Sequence, residues 1–319
     1  MHDSSSPVPV SLLTGFLGAG KTTLLNRVLH GDHGQRIAVL INEFGDVPID
    51  GRLVVHADEE VLELANGCVC CSVRGDLVRA IGGLLERRAK RFRAQPFDRI
   101  LIETSGLAAP GPVLQTLLIE PSLNATTVAA GVVTLVNATS ICGELERHPE
   151  TREQVGYADL LLLNHCDRAS ELERTQAEAA LREYNSLAPV LRCVRSEVDP
   201  ALFFDLQHRP PLDPESFADH GHTHGAGTVV LRSKQPLELA KLKIWLQFLS
   251  TKRSHELWRL KGLLRCAERP EAVVVQGVYQ FLEIGPGEES APEESLLVLI
   301  GKDLDRAELE RGWAVCCGG

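Results

Sequence analysis

The chain has 319 residues, of which 44% are hydrophobic and 24% charged, and this composition is typical of a globular protein with a sizeable core. Its formal net charge of -10 argues against a general nucleic-acid binder. The sequence contains no apolar run long enough to span a bilayer, and Met1 to Pro9 lack the pattern of a secretion signal. We therefore expect a cytoplasmic protein that has neither a membrane nor a nucleic acid as its partner.

Strand-like and helix-like segments alternate over about the first 200 residues, and this alternation predicts a parallel α/β sheet. The predicted strands are the apolar runs at residues 10–14, 37–41, 99–103, 128–136, 160–163 and 189–194. The predicted helices are the amphipathic segments at residues 23–29, 76–90, 112–118 and 171–184. Ligands bind such a sheet beyond the carboxyl ends of its strands, so the polar residues that follow the strands are the candidates for function.

The segment from Gly15 to Thr22 has the pattern G-x-x-x-x-G-K-[ST] and lies between a predicted strand and a predicted helix. Its glycines allow successive backbone N–H groups to turn towards phosphate oxygens, and the helix that follows adds its positive end. We expect Lys21 to bind the β- and γ-phosphates of a nucleotide and the Thr22 hydroxyl to hold Mg²⁺. The residues predicted to contact the nucleotide here are Gly15, Gly18, Ala19, Gly20, Lys21, Thr22 and Thr23.

Three cysteines lie close together at Cys68, Cys70 and Cys71. In a reducing compartment, clustered cysteines are more often metal ligands than disulfides. Thiolates suit a soft ion such as Zn²⁺ or Cu⁺, and three of them leave a tetrahedral site open to a ligand from elsewhere in the chain or from a partner. Buried cysteines or a redox pair are the alternatives.

In the sequence, one predicted strand comes before this cluster and another comes after it, and each ends in polar residues. Glu103 ends a hydrophobic strand, and we expect its carboxylate to orient Mg²⁺ or its water ligands, while the amide of Gly106 senses the γ-phosphate. With Lys21 and Thr22, they form the predicted catalytic group. The alternative for Glu103 is an exposed carboxylate at a strand end, and residues 42–46 form either a first switch loop or a plain turn.

The segment Asn164-His165-Cys166-Asp167 follows the strand at 160–163, where guanine-binding proteins have the order Asn, Lys, any residue, Asp. We expect Asn164 and Asp167 to contact the base, with Asp167 accepting hydrogen bonds from guanine N1 and the exocyclic amine. Adenine presents the wrong partners to that carboxylate. His165 occupies the lysine position, where its imidazole would stack on the base, and a turn at the strand end is the alternative reading of the segment.

Prolines and glycines interrupt the pattern at residues 207–227, which we interpret as a linker. His220, His222 and His224 in this linker are candidate ligands for Zn²⁺, Ni²⁺ or Co²⁺, unless it is a polar linker that happens to contain histidines. The remaining residues predict a smaller α+β domain, with strands at 228–232, 272–284 and 295–300 and helices at 237–250 and 305–313. The predicted boundaries are therefore 1–206, 207–227 and 228–319. Cys316 and Cys317 either extend the metal site or have no role in it.

Together these motifs resemble the CobW-type (YjiA-like) P-loop GTPases, which act as metal chaperones or insertases. The resemblance rests on residues 15–26, 42–45, 67–71, 103–106 with 108 and 110, 155–159, 259–262, 275–278 and 299–301. It implies a P-loop NTPase parallel sheet with helices on both faces, followed by a smaller α+β C-terminal domain. Two positions depart from the family pattern: His165 replaces a lysine, and Ile41 stands where certain members have an acidic ligand.

The family resemblance also implies a function. It is Mg²⁺-dependent hydrolysis of GTP, coupled to the delivery of zinc, or of a related metal such as Co²⁺ or Ni²⁺, from the Cys68 cluster to a client metalloprotein. A nucleotide- or metal-dependent oligomer is a further hypothesis. Two other functions fit the same motifs. One is an ATP- or GTP-dependent assembly factor for a cobalt or cobalamin pathway, and the other is a non-catalytic metal-storage or sensor protein.

Overall fold

The computed structural model describes residues 6–42, 61–63, 71–89, 97–204, 206, 225–253 and 255–318, with the backbone alone at 42, 61–63, 71–73 and 89. The described residues belong to two units. The first unit is drawn from Met1–Gln154, Ala158–Ala177 and Val190–Arg209, and the second from Val155–Tyr157, Glu178–Pro189 and Pro210–Gly319.

The described part of the first unit contains a parallel sheet of seven strands. These are β1 Val8–Gly15, β2 Ile37–Asn42, β3 Val61–Glu63, β4 Arg99–Thr104, β5 Thr127–Asn137, β6 Leu160–Asn164 and β7 Val190–Arg192. Their order in the sheet is β3-β2-β4-β1-β5-β6-β7. The chain builds β2 to β4 on one side of β1 and then β5 to β7 on the other, so the direction of winding reverses at β1. A ligand crevice is expected at the carboxyl end of that strand.

The pairing of β1 with β4 positions the candidate site. Val10 pairs with Ile100 and Leu12 with Ile102, and all four side chains are fully buried, as is typical of a parallel sheet covered on both faces. Continuing this register, Leu13 lies opposite Glu103. The carboxylate at the end of β4 therefore comes beside the loop that follows β1.

Helices connect the strands of the first unit. They are α1 Lys21–Leu29, α2 Cys71–Ala89, α3 Gly111–Ile119, α4 Pro121–Asn124, α5 Ile141–Arg147, α6 Pro149–Tyr157 and α7 Glu171–Tyr184, with a short 3₁₀ turn at Pro200–Phe203. Helix α1 buries Leu24, Leu25, Val28 and Leu29, the apolar face that its sequence predicts. The predicted α/β class is thus confirmed, whereas β3 and the short helices α4, α5 and α6 were not predicted.

The second unit contains an antiparallel sheet of five strands in its described part. The strands are β8 Ala226–Ser233, β9 Leu257–Leu264, β10 Glu271–Val278, β11 Phe281–Ser290 and β12 Ser295–Lys302, in the order β11-β10-β9-β12-β8. The predicted α+β class is confirmed here as well. The segment 272–284, predicted as strand throughout, falls in a hairpin of two strands, because the chain turns at Tyr279, which has a φ of 58°.

Two helices, α8 Leu239–Lys252 and α9 Arg306–Cys316, complete the second unit. Leu242, Leu246 and Leu249 recur at helical spacing along α8 and join Leu309 and Trp313 of α9 in one buried cluster with the sheet. No helix in the described ranges is long and apolar enough to cross a membrane.

Candidate nucleotide site

The loop between β1 and α1 has a backbone that requires glycine. Gly18 and Gly20 have φ angles of +74° and +106°, in the left-handed region that other residues rarely adopt. A Cβ atom at Gly15 would lie 2.1 Å from the carbonyl oxygen of Leu135 on β5. The loop therefore turns tightly against the sheet and leads directly into α1 at Lys21.

The side chain of Lys21 curls back over this loop. It is 9% exposed, and its Nζ donates hydrogen bonds to the carbonyl oxygens of Gly15 at 2.7 Å and Phe16 at 3.2 Å. A phosphate oxygen would be a stronger, charge-assisted partner for the ammonium than a neutral carbonyl. The geometry therefore holds a positive charge at the loop, next to the N-terminus of α1.

Thr22 and Glu103 come together although they are far apart in the sequence. The Thr22 hydroxyl donates to Glu103 Oε1 at 3.4 Å, and the carboxylate is only 7% exposed. Hydroxyl and carboxylate oxygens are the ligands that Mg²⁺ accepts in nucleotide sites. The pair fits a magnesium ion beside the phosphates.

Gly106, in the loop after β4, packs on the phosphate loop. A Cβ atom at this position would lie 2.9 Å from the backbone nitrogen of Leu17 and 2.5 Å from its side chain. Only glycine permits this approach. The two loops that were expected to contact phosphate are therefore adjacent.

Asn164 stabilises the phosphate loop through hydrogen bonds. Its side chain is fully buried, and its Nδ2 donates to the carbonyl oxygen of Ala19 at 2.8 Å and to Ser196 Oγ at 3.0 Å, while its Oδ1 accepts from the backbone nitrogen of Ser196 at 2.9 Å. Both donors of the amide are used within the protein. In this arrangement Asn164 supports the phosphate loop, and its direct contact with the base stays a prediction.

His165 and Asp167 follow at the carboxyl end of β6. His165 has a φ of 60°, and its Nε2 lies 3.3 Å from the carbonyl oxygen of Gly18, a distance at which the Nε2-protonated tautomer donates a hydrogen bond. Asp167 is exposed, so its carboxylate is accessible to a ligand. The imidazole in the lysine position thus lies against the phosphate loop.

Ser196, in the loop after β7, was not predicted as a site residue. It is fully buried with a φ of 58°, and its hydroxyl donates to the carbonyl oxygen of Gly20 at 3.2 Å. Arg27 of α1 holds the same loop by donating to the carbonyl oxygen of Arg195 at 2.9 Å. The sequence contained one indication, since Ser196 comes just after a predicted strand, where the other site residues also lie.

The predicted metal ligands fall largely outside the described residues. This applies to Cys68, Cys70 and the histidines His220, His222 and His224, and Cys71 is described only as the backbone start of α2. Residues 43–46, predicted as a switch loop or a turn, also lie outside the described residues. Among the residues that are described, no group of three or more His, Cys, Asp or Glu side chains could hold a metal ion.

Three of the other cysteines are poor candidates for metal ligands. Burial raises the pKa of Cys193 to about 12 and those of Cys266 and Cys316 to about 11. Their thiols therefore stay protonated at neutral pH, whereas a metal requires the thiolate. Cys316 packs in the core of the second unit, while Cys142 is exposed.

Comparison with known proteins identifies relatives along nearly the whole chain. The family model described as CobW/HypB/UreG, nucleotide-binding domain, matches residues 9–192, and the cobalamin synthesis protein cobW C-terminal domain matches residues 226–317. The zinc chaperone YjiA of Escherichia coli (strain K12) is 32% identical, with 97% of this chain and 98% of YjiA covered. The zinc chaperone CobW of Pseudomonas aeruginosa is 33% identical, with 95% of this chain and 89% of CobW covered.

A solved structure shows the same likeness. The crystal structure of Zn(II)-bound YjiA GTPase from E. coli matches with a TM-score of 0.77 at 27% identity, covering 98% of this chain and all of that one. The chain therefore belongs to the CobW/HypB/UreG family of nucleotide-binding proteins, and a cobW C-terminal domain follows its nucleotide-binding domain.

Proposed function

We propose that this protein is a GTP-hydrolysing zinc metallochaperone that delivers its metal to a client protein. The observation that carries the proposal is the position of the Lys21 ammonium over the loop next to the Thr22–Glu103 pair, in a chain that resembles zinc chaperones over nearly its whole length. Relatives in this family include proteins named zinc-regulated GTPase metalloprotein activator, for example in Schizosaccharomyces pombe.

In this proposal the loop amides and Lys21 bind the β- and γ-phosphates, and Lys21 exchanges its carbonyl partners for phosphate oxygens. Thr22 and Glu103 would hold Mg²⁺, and the ion would neutralise charge on the phosphate oxygens. The Gly106 amide donates to the γ-phosphate, so it distinguishes GTP from GDP. Phosphoryl transfer then depends on the positioning of these groups, because the protein supplies little covalent chemistry to the reaction.

Guanine is selected by Asp167. Its carboxylate accepts hydrogen bonds from guanine N1 and the exocyclic amine, whereas adenine presents no donor at its ring N1. His165 packs beside the phosphate loop at the edge of the base site. Hydrolysis rates measured with GTP and ATP side by side test this assignment, and equal kcat/KM values for the two nucleotides would contradict it.

Zinc is the cargo, and the thiolates of Cys68, Cys70 and Cys71 are its proposed ligands, with further ligands from the chain or the client. His220, His222 and His224 form a second proposed capture site, which would also accept Co²⁺ or Ni²⁺. We place the functional boundaries at 1–206, 207–227 and 228–319, in a cytoplasmic protein whose oligomeric state depends on nucleotide or metal.

The nucleotide state changes how firmly the thiolates hold zinc, and by linkage zinc changes the affinity for GTP by the same factor. Titration of zinc into the GTP-analogue and GDP forms tests this coupling. We expect the two affinities to differ on the order of fivefold to hundredfold. Equal affinities would remove the coupling mechanism.

The metal site is tested by metal analysis of untagged protein. In protein in which His220, His222 and His224 have been replaced by alanine, replacement of Cys68, Cys70 and Cys71 by serine should remove the bound zinc. The matched control is Cys142→Ser, because Cys142 is an exposed cysteine outside the cluster. Zinc retained by the triple variant would overturn the assignment.

A second candidate function is an assembly factor for a cobalt or cobalamin pathway. It is favoured by one observation, the match of residues 226–317 to a domain described from cobalamin synthesis. The two candidates differ in the metal they select. Co²⁺ bound more tightly than Zn²⁺ at the thiolates, measured by competition, would support this second function.

A further inference from the structure

Gln154 contacts the loop that follows β4 through its side-chain amide. The residue lies on α6 and is 1% exposed. Its Nε2 donates two hydrogen bonds, to the carbonyl oxygens of Gly106 and Ala108, both at 3.1 Å. Both donors of one buried amide are therefore aimed at the loop that contains Gly106.

The position of Gln154 is itself fixed to the sheet. Its backbone carbonyl accepts a hydrogen bond from the Thr134 hydroxyl at 2.7 Å, and Thr134 is a fully buried residue of β5. Thr134 pairs with Thr14 of β1, which also accepts a hydrogen bond from the Thr104 hydroxyl at 2.8 Å. Gln154 thus ties the loop to the strand next to β1.

The orientation of the amide is determined by these contacts. Its Oε1 is buried and has no hydrogen-bond partner in the described part of the chain. Exchange of Oε1 and Nε2 would place an oxygen against two carbonyl oxygens, so that only the observed orientation makes hydrogen bonds. A buried acceptor left without a partner is unfavourable, and the side chain keeps this position for its two donations.

The two hydrogen bonds also determine which groups of the loop remain available. The carbonyl oxygens of Gly106 and Ala108 face Gln154, and the loop is closed by a bond from the Ala108 nitrogen to the Ser105 carbonyl oxygen at 3.0 Å. Within the described ranges, the backbone nitrogen of Gly106 donates to no acceptor in the protein. Its N–H group is therefore left for a ligand.

We propose that Gln154 is a positioning residue for nucleotide hydrolysis. By holding the Gly106 and Ala108 carbonyls, it fixes Gly106 against Leu17 of the phosphate loop, with the Gly106 N–H available to the γ-phosphate. This inference rests on the proposed function. GDP has no γ-phosphate, so loss of Gln154 affects GTP and its hydrolysis more than GDP.

Two substitutions of similar shape test the proposal. Gln154→Met keeps the length of the side chain and removes both donors, and Gln154→Glu replaces the donating nitrogen by oxygen. The matched control is Gln176→Met, because Gln176 is an exposed glutamine on α7. Gln154→Asn, which keeps a shorter amide, is the substitute if either variant fails to fold.

The readouts are GTP hydrolysis, affinity for a GTP analogue and for GDP, and melting temperature. For Gln154→Met we expect kcat to fall on the order of tenfold to hundredfold, with the preference for the GTP analogue over GDP reduced on the order of tenfold. GDP affinity should stay within about twofold, since the site for the β-phosphate is not altered. The control should match the wild type.

A pH profile of Gln154→Glu gives a readout that a purely structural role would not change. A neutral carboxylic acid can donate one hydrogen bond, whereas a carboxylate can donate none. The activity of this variant relative to Gln154→Met should therefore rise as the pH is lowered from about 8 to about 6. Burial can raise the pKa of a carboxyl group into this range.

Two results would overturn the inference: unchanged kcat and nucleotide preference in Gln154→Met, or an equal loss of affinity for GTP and GDP. In either case the wild type still hydrolyses GTP, and the proposed function stands. A wild type that binds GDP but hydrolyses no GTP would instead overturn the proposed function, and the inference with it.

Discussion

The side chain of Asn164 forms reciprocal hydrogen bonds with the backbone nitrogen and the hydroxyl of Ser196, next to the phosphate loop. Asn164 Oδ1 accepts from the Ser196 nitrogen at 2.9 Å, and Asn164 Nδ2 donates to Ser196 Oγ at 3.0 Å. Both residues also bond loop carbonyls, those of Ala19 and Gly20. The glycine loop between β1 and α1 is thus held by residues distant in sequence.

Replacement of Asn164 by alanine should lower both the free energy of unfolding and the affinity for nucleotide. The Ala19 carbonyl and the Ser196 amide would lose a buried partner, which costs about 1–3 kcal/mol of unfolding free energy for each unsatisfied group. Affinity for GTP and GDP should fall together. Denaturant unfolding and nucleotide titration measure the two effects, and Asn124→Ala, at an exposed asparagine, is the control. An unchanged free energy of unfolding would contradict the proposal that Asn164 supports the phosphate loop.

Replacement of Lys21 by alanine should abolish nucleotide binding or turnover, because the charge that the structure holds over the loop is lost. Zinc binding by the cysteine cluster should persist, as the substitution leaves the thiols intact. Calorimetry with GDP and metal analysis of the same sample measure both properties. Lys234→Ala, at an exposed lysine, should retain both. Loss of zinc together with nucleotide would indicate misfolding, and turnover equal to that of the wild type would favour a non-catalytic protein.

Replacement of Glu103 by glutamine should raise the Mg²⁺ concentration needed for half-maximal hydrolysis. The substitution preserves the shape of the side chain that accepts from Thr22 at 3.4 Å but removes its negative charge. We expect the rate at limiting Mg²⁺ to fall on the order of tenfold to hundredfold. Hydrolysis measured across a Mg²⁺ series tests this, with Glu146→Gln as the exposed control. An unaltered Mg²⁺ requirement would remove Glu103 from the site.

The buried thiols predict a loss of stability at alkaline pH. The folded pKa is about 12 for Cys193 and about 11 for Cys266 and Cys316, against 9.0 for an unperturbed thiol. Between these values the folded state binds more protons than the unfolded state, so stability should fall as the pH rises above about 9. Chemical unfolding at a series of pH values measures this.

The same cysteines can be compared by alkylation. In the folded protein at pH about 8, Cys142 should react much faster than Cys193, because it is exposed whereas the Cys193 thiol is buried and protonated. Mass spectrometry of peptides after brief labelling gives the rates. Equal labelling of the two residues in folded protein would contradict the raised pKa.

The fold could be predicted where the apolar residues of a segment recur at the spacing of a helix or of a strand. Helix α7 has the predicted limits, because its apolar residues repeat at helical spacing, and β4 and β6 are short buried runs. Strand β9 was not predicted, although Arg259 and Lys261 alternate with the buried residues Trp258 and Leu260, as in a half-buried strand. Helix α6 was missed because polar residues dominate it and its buried Gln154 does not indicate a core face.

The candidate site was predictable only in part, for a related reason. Lys21 and Thr22 follow β1, and Glu103 lies at the carboxyl end of the neighbouring strand β4, so the parallel topology brings them together. Gln154 and Ser196 depend on packing between distant segments. They act through hydrogen bonds to backbone carbonyls, and such bonds have no sequence motif, although Ser196 does follow a predicted strand.

The dependence of the phosphate loop on Ser196 has a consequence for synthesis on the ribosome. The loop at residues 15–22 emerges early, but Asn164 and Ser196, which hold its carbonyls, are made much later. Because domains fold as units as the chain emerges, the nascent protein should acquire nucleotide only after β7 and the loop beyond it have been translated. A stalled chain that ends before residue 190 lacks β7 and Ser196, so we expect its glycine loop to bind phosphate weakly.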